Sequence, residues 1–165
     1  MKKPHYWLAS FLTLLFIGCT VFAGSSQQSE PQRLIESVKL LEEKPLDKEA
    51  KGVRAWAVEW VIATDKVNVK VCALILGVDK KYKYSSELIS QYTVAMAAFK
   101  LANPDKANDE DAAQLAGIES AITVYKAIQN SQPKAKNGFM DSLVTKSADG
   151  SLAQFVMENN CKDKR

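Results

Sequence analysis

Histidine is almost missing from this 165-residue chain, since His5 is its only one. A mature chain that begins beyond residue 23 has none. That absence excludes Ser-His-Asp and Cys-His catalytic arrangements and removes the commonest general base and metal ligand. Beyond residue 23 there are only two cysteines, 89 positions apart, so a zinc site could be made only from carboxylates. We therefore expect no metal and no cofactor.

The chain also lacks an apolar run of the roughly 20 residues that a transmembrane helix requires. An apolar stretch from Trp7 to Ile17 follows a basic N-terminus and precedes a polar stretch over residues 24–29. This order is typical of a secretory signal peptide. We predict cleavage after Ala23, a mature chain that begins at Gly24, and a secreted or periplasmic protein without a transmembrane span.

Cys19 allows a second interpretation of the same segment. The sequence around it resembles a bacterial lipobox, in which a cysteine after a small residue is lipidated and becomes the new N-terminus. Gly18 fits this pattern, whereas Phe16 and Ile17 depart from it. We favour soluble export and keep a lipid anchor at Cys19 as the alternative.

The chain also carries little net charge. The formal net charge of +3 falls to +1 when the two lysines of the signal peptide are removed. Nucleic-acid binding requires a clustered positive footprint, so we predict no nucleic-acid partner. The 142 residues that remain correspond to one domain. We divide the chain into a signal peptide (1–23), a polar lead (24–30) and a helical domain (31–165).

Between the prolines and glycines, the apolar spacing is helical almost throughout. We predict an all-α, single-domain bundle of six to seven helices with one disulfide. The predicted helices run from Pro31 to Pro45, Lys48 to Ala63, 66–76, Tyr84 to Ala102, Asp109 to Asn130, Lys134 to Lys146 and Ser151 to Asn160. The predicted N-caps are Asp47, Asp65, Ser85 or Ser86, and Asn108.

Residues 66–76 are ambiguous. Val67, Val69 and Val71 alternate with polar residues as in a strand, but apolar residues from Val67 to Val78 also fall at helical spacing. We choose a helix that ends at Gly77, and the strand remains open.

The helix from Lys48 to Ala63 contains Trp56 and Trp60 and is apolar on nearly every side, a pattern typical of a buried helix. We expect Trp60 to be core and the rest of the chain to pack around this helix. The helix from Asp109 to Asn130 has two apolar stripes and should lie between neighbours. The stripes are Leu115, Ile118, Ile122 and Tyr125, and Gly117, Ala121, Val124 and Ile128.

Glu59 lies between the two tryptophans, where burial would raise its pKa and could make it a general acid. Glu119 is the natural second carboxylate of a glycan hydrolase, in which the two groups lie about 5 to 9.5 Å apart. Alternatively, Arg54 pairs with a carboxylate elsewhere in the bundle and no catalysis follows. We favour the structural interpretation.

Two further stretches allow a functional and a structural interpretation. Residues 78–84 alternate lysines and tyrosines and could form a stacking platform for single strands or sugars, or a solvated loop whose tyrosines lie under a helix. Asp109, Glu110 and Asp111 could bind calcium, but they suit the start of a helix and lack the spacing of an EF-hand loop. We favour the structural interpretation of both.

Cys72 and Cys161 should form one disulfide, because export delivers the chain to an oxidising compartment. We therefore expect a small exported, non-enzymatic helical protein that is an interaction or scaffold module for an unidentified protein or envelope partner. The alternative is the carboxylate-dependent glycan hydrolase that uses Glu59 and Glu119.

Overall fold

The structure, a computed structural model, describes residues 28–78 and 81–159. These residues form six α-helices and two short 3₁₀ helices and contain no strand, which confirms the all-α prediction. The predicted signal peptide, Cys19 and Cys161 lie outside the described residues. The helices are α1 Glu30–Glu43, α2 Ala50–Ala63, α3 Ser85–Ala102, α4 Glu110–Ser131, α5 Gly138–Asp149 and α6 Leu152–Asn159. The 3₁₀ helices are Ala73–Leu76 and Pro104–Lys106.

The two longest helices, α3 and α4, form an antiparallel pair at the centre of the molecule. Lys100 near the end of α3 bonds to Glu110 at the start of α4, and Gln91 in mid-α3 bonds to Ser120 in mid-α4. The predicted break at Asn103 and Pro104 separates the two helices. Both predicted stripes of α4 are buried, except that Leu115 is partly exposed. The prediction that this helix lies between neighbours is therefore confirmed.

The helix with the tryptophans, α2, lies at the periphery instead of the centre. It packs against α1 and α3 through Ala57, Trp60 and Val61 and joins a second, smaller core cluster. Trp60 is buried as predicted, and its indole N–H donates to Glu30 Oε2 at 3.0 Å. The expectation that the chain packs around α2 is wrong, because only one of its apolar faces is covered within the molecule.

A buried polar network ties α1, α3 and α4 together. Gln91 Nε2 donates to Ser120 Oγ at 2.7 Å and to the Val38 carbonyl at 3.2 Å. The Ser120 hydroxyl donates in turn to Glu42. Since a buried polar group that loses its partner destabilises a fold, the network fixes how the three helices align.

Residues 64–72 form an irregular segment without helix or strand, so the helix predicted over 66–76 with Asp65 as its cap is wrong. The alternating valines have a tertiary cause: Val67 and Val69 pack against the second core cluster. The buried Lys100 also donates to the Asn68 carbonyl at 2.9 Å and holds the segment on α3. Only the predicted end of this helix at Gly77 is confirmed, because Gly77 follows the 3₁₀ helix and has a φ of +55°.

Several predicted helix starts are shifted, and residues other than the predicted ones occupy the N-cap positions. Glu49 and Tyr84 occupy the N-cap positions of α2 and α3 and make no side-chain cap bond, so the predictions of Asp47 and of Ser85 or Ser86 are wrong. In α4 the cap is Asp109 instead of Asn108. Helix α5 begins at Gly138 instead of Lys134, because the Asn137 side chain accepts from the N–H groups of Phe139 and Met140.

Candidate functional site in the groove beside the tryptophan helix

The uncovered face of α2 forms one wall of an open groove of about 670 Å³. We call it the α2–α3 groove. Ile62 is the most exposed large apolar residue in the described part of the chain, at 79%, and Leu46 at one end of the groove is 40% exposed. The wall from α2 consists of Lys51, Arg54, Ala55, Val58, Glu59, Ile62 and Ala63, the opposite wall of Ser86, Glu87 and Ser90 from α3, and one end of Pro45, Leu46 and Asp47.

Local sequence explains why this face is apolar. Residues 51, 54, 55, 58, 59, 62 and 63 recur every three or four positions, so they share one side of the helix. Ala57 and Trp60, on the other side, face the core. The nearly continuous apolar pattern of α2 therefore consists of two faces, of which only one is buried in the molecule.

Arg54 and Glu87 lie in the wall of the groove, and the hydrogen-bonding capacity of each is only partly satisfied. Arg54 Nη2 donates to the Pro45 carbonyl at 2.7 Å, and Nη1 lies 4.0 Å from Glu87 Oε1. Burial lowers the pKa of Arg54, and the Glu87 charge partly offsets this effect. Arg54 Nε and Glu87 Oε2 are both buried without a hydrogen-bond partner. Arg54 thus lies beside a carboxylate of another helix, as the structural interpretation expects, but the two groups do not form a fully satisfied network.

Glu59 lines this groove, but its side chain is exposed, so the expected burial between the tryptophans is wrong. The stacked rings of Trp56 and Trp60, 6.5 Å apart, face α1 instead, where the Arg33 guanidinium lies 3.7 Å from the centre of the Trp56 ring. Glu119 is exposed on α4 and does not line the groove. The groove thus holds one of the two proposed hydrolytic carboxylates and offers no support for the pair.

The three acidic residues at the start of α4 have structural partners where the structure shows them. Asp109 Oδ1 accepts from the Ala112 N–H at 3.0 Å, and Glu110 pairs with Lys100. The described residues contain no group of three or more His, Cys, Asp or Glu side chains that could hold a metal ion. The capping interpretation of Asp109 is confirmed.

The two tyrosines of the loop over residues 78–84, Tyr82 and Tyr84, pack against neighbouring parts of the fold. Tyr84 is buried, and the Tyr82 hydroxyl donates to the Ala135 carbonyl at 3.0 Å. Their rings meet edge to face at 5.8 Å. This arrangement confirms the structural interpretation of the tyrosines and leaves no stacking platform on them.

Sequence reasoning missed the groove, although a signal for it was present. The groove residues that α3 contributes are polar, and those from the connection before α2 form no recognisable sequence motif. The usable signal was the second apolar face of α2 itself, because Ala55 and Ile62 exceed what one buried face requires.

None of the helices in the described part of the chain combines the length and apolar character that membrane crossing requires. No family model, curated protein or solved structure matches the chain.

Proposed function

We propose that the protein is an exported, non-enzymatic interaction module whose α2–α3 groove binds an amphipathic helix of a partner protein. The observation that carries this proposal is the uncovered apolar face of α2, on which Ile62 is 79% exposed. Exposed apolar residues that line a common groove are typical of interaction surfaces, whereas single scattered ones are not.

The groove has the shape that a docked helix needs. Its α2 wall extends from Lys51 to Ala63, which is about 18 Å along the axis at 1.5 Å per residue. A partner helix of three to four turns covers that length, with anchors at i, i+3, i+4 and i+7. Burial of a side chain such as Ile62 contributes about 1.5 to 3 kcal/mol to such an interface before the costs of association.

Charged groups beside the apolar wall would determine orientation. Glu59 and Asp47 supply negative charge, and Lys51 supplies positive charge. Complementarity of charge across an interface contributes more to specificity than to affinity.

Export and the disulfide belong to the same proposal. The sequence supports cleavage between Ala23 and Gly24, and an intact mass of the exported protein that starts at Gly24 would establish it. Cys72 is buried beside the main core cluster, and α6 ends at Asn159, two residues before Cys161. Titration of the unfolded, unreduced protein should find no reactive thiol if these cysteines are paired, and two thiols would exclude the bond.

The binding proposal is tested with Ile62→Glu and, as its matched control, Met157→Glu. Both residues are exposed and apolar, but Met157 lies on α6 outside the groove. A partner captured from the native compartment is first mapped to its contact segment, and that segment is titrated as a synthetic peptide by calorimetry. We expect Ile62→Glu to weaken binding at least tenfold, about 1.4 kcal/mol, and Met157→Glu to have little effect.

The outcomes separate the possible occupants. A bound peptide that gains helical structure supports the proposal. Equal losses in both variants, or a contact segment without an apolar helical face, would contradict it. If the only occupant is a second copy of this chain, the groove is a dimer interface and the proposed partner is wrong.

A further inference from the structure

The connection that follows α2 contains a stretch of extended chain. From Val67 to Cys72 the backbone has no helix, turn or bend. Val67 and Val69 pack against the core, whereas Asn68 and Lys70 are exposed. Side chains that alternate between core and solvent with a period of two are typical of an extended chain. We call residues 67–72 the valine stretch.

One edge of the valine stretch is tied to α3. The Asn68 carbonyl accepts from Lys100 Nζ at 2.9 Å, and the Cys72 N–H donates to the Tyr92 hydroxyl at 3.4 Å. Both bonding partners belong to α3. In an extended chain, residues separated by an even number of positions point their backbone N–H and C=O groups to the same edge. Since Asn68 and Cys72 are four positions apart, the even-numbered residues face α3.

The opposite edge carries the backbone groups of Val67, Val69 and Val71. In the described part of the chain, none of their N–H or C=O groups has a hydrogen-bond partner. No residue from Asp65 to Val71 is buried. Because unpaired backbone groups are seldom buried, these groups face water. They form an unpaired edge of the kind that a second strand can extend.

Two lysines give this edge a preference for an acidic partner. Lys66, at the bend before the valine stretch, and Lys70 within it are exposed, and neither side chain has an ion pair within the described residues. Asp65 is the one acidic residue of the connection. Lys100 and Glu110, which line the same cleft beside the stretch, pair with each other. Opposite charges on facing strands stabilise strand pairing, so a strand with carboxylates opposite the two exposed lysines is favoured.

The same lysines oppose pairing between two copies of this chain. A parallel, in-register pair places two Lys70 side chains opposite each other, and an antiparallel pair centred on Asn68 places Lys70 opposite Lys66. Facing side chains have Cβ atoms about 4.5 to 5.5 Å apart, a distance at which like charges destabilise the pair. Lysines on exposed edges limit self-association in this way, and a partner of different sequence is therefore favoured.

We propose that the edge formed by Val67, Val69 and Val71 binds an extended, acidic segment of a partner protein by β-strand addition. Main-chain hydrogen bonds to the three valines supply affinity, and carboxylates four positions apart in the partner pair with Lys66 and Lys70. Val71, which is 45% exposed, contacts an apolar side chain of the partner. The edge shares no residue with the α2–α3 groove, so either proposal can fail without the other.

The test titrates the full chain with two synthetic peptides that differ only in charge. Each peptide alternates valine and threonine and carries, four positions apart, either two glutamates or two lysines. Binding is followed by nuclear magnetic resonance up to about 1 mM peptide, a range that detects a Kd of about 1 mM. Lys70→Glu reverses one charge of the edge, and Lys126→Glu on α4 is the matched control, because Lys126 is also exposed.

We expect the unchanged protein to bind the glutamate peptide about tenfold more tightly than the lysine peptide, because two facing charge pairs change sign between them. Lys70→Glu should reduce this preference to less than about twofold, since the edge then carries one charge of each sign. Lys126→Glu should leave the preference unchanged. Melting curves of the three proteins should coincide, because both substituted side chains are exposed.

Amide hydrogen exchange in the complex identifies the mode of binding. Pairing along one edge should slow exchange at Val67, Val69 and Val71 and leave Asn68 and Lys70 unchanged. Failure to bind the glutamate peptide, an equal effect of the two variants, or protection without this alternation would overturn the proposal. The same alternating protection in self-associated protein without peptide would make a second copy the occupant and would overturn it too.

Discussion

Gly117 lies in α4 directly against Tyr92 and Met96 of α3. A Cβ at this position would come within 2.7 Å of the Tyr92 ring, 2.8 Å of the Met96 side chain and 2.8 Å of the Tyr92 carbonyl oxygen. The ring and the carbonyl are held in the core and cannot move aside as the end of a flexible side chain could. The glycine is therefore required by packing, although its flexibility disfavours a helix.

We predict opposite effects for two glycine-to-alanine substitutions within helices. Gly117→Ala should lower the free energy of unfolding by about 1 to 3 kcal/mol, because overpacking outweighs the gain in helix propensity. Gly52→Ala in α2 should raise it by about 0.5 to 1 kcal/mol, since a Cβ there meets nothing within 4 Å. Denaturant unfolding measures both, and a stabilising Gly117→Ala would refute the close approach.

At the scale of helices, the two faces of α2 contribute differently to stability. Trp60 is buried, stacks on Trp56 and bonds to Glu30, whereas Ile62 contacts mainly solvent. Trp60→Ala should cost about 3 to 5 kcal/mol through lost burial and a cavity. Ile62→Ala should stay within about 0.5 kcal/mol of the unchanged protein.

Thermal or denaturant unfolding of the isolated protein distinguishes these values. A loss above about 2 kcal/mol for Ile62→Ala would show that Ile62 is part of the core. The groove would then be closed in solution, and the second face of α2 would have no need of a partner.

The helices that could be predicted from sequence are those with long, regular apolar spacing between clear breaks. Helices α1, α3 and α4 agree with prediction to within two residues because Pro31, Pro104 and the apolar stripes determine them locally. The prediction for residues 66–76 was wrong because Val67 and Val69 pack against the second core cluster and Lys100 holds the segment on α3. No local sequence pattern encodes these tertiary contacts. The predicted start of α5 was wrong because the Asn137 cap and the Tyr125 hydroxyl fix the loop before this helix.

The candidate sites were predictable only in part for a similar reason. The excess of apolar residues on α2 is visible in the sequence, but its partial exposure depends on where α1 and α3 lie. The Tyr82 to Ala135 bond, which joins two loops whose bonded residues are 53 positions apart, is likewise a property of the fold.

At the scale of the whole molecule, buried tyrosines couple stability to alkaline pH. Burial is the largest cause that raises the pKa of Tyr82, Tyr92 and Tyr125 to about 12, compared with about 10 in an unfolded chain. The folded state thus retains these protons where the unfolded state loses them. Their contribution to stability is fully present below pH about 10 and is lost as the pH rises through about 12.

Alkaline titration followed in parallel by phenolate absorbance and far-ultraviolet circular dichroism checks this coupling. We expect most of the phenolate signal to appear together with the loss of helical signal. Complete ionisation of the tyrosines near pH 10 with the helical signal intact would contradict the described burial.

The central claim, that a separate helix covers the second face of α2, is tested most directly by photo-crosslinking from that face. A photoreactive amino acid is placed at position 62 of the full chain and, as the control, at position 157 on α6. The account predicts a discrete adduct from position 62 alone, mapped by mass spectrometry to residues at i, i+3, i+4 and i+7 of one partner segment. Equal labelling from both positions would contradict the account. A probe at position 62 that reacts only with solvent, or only with a second copy of this chain, would also contradict it.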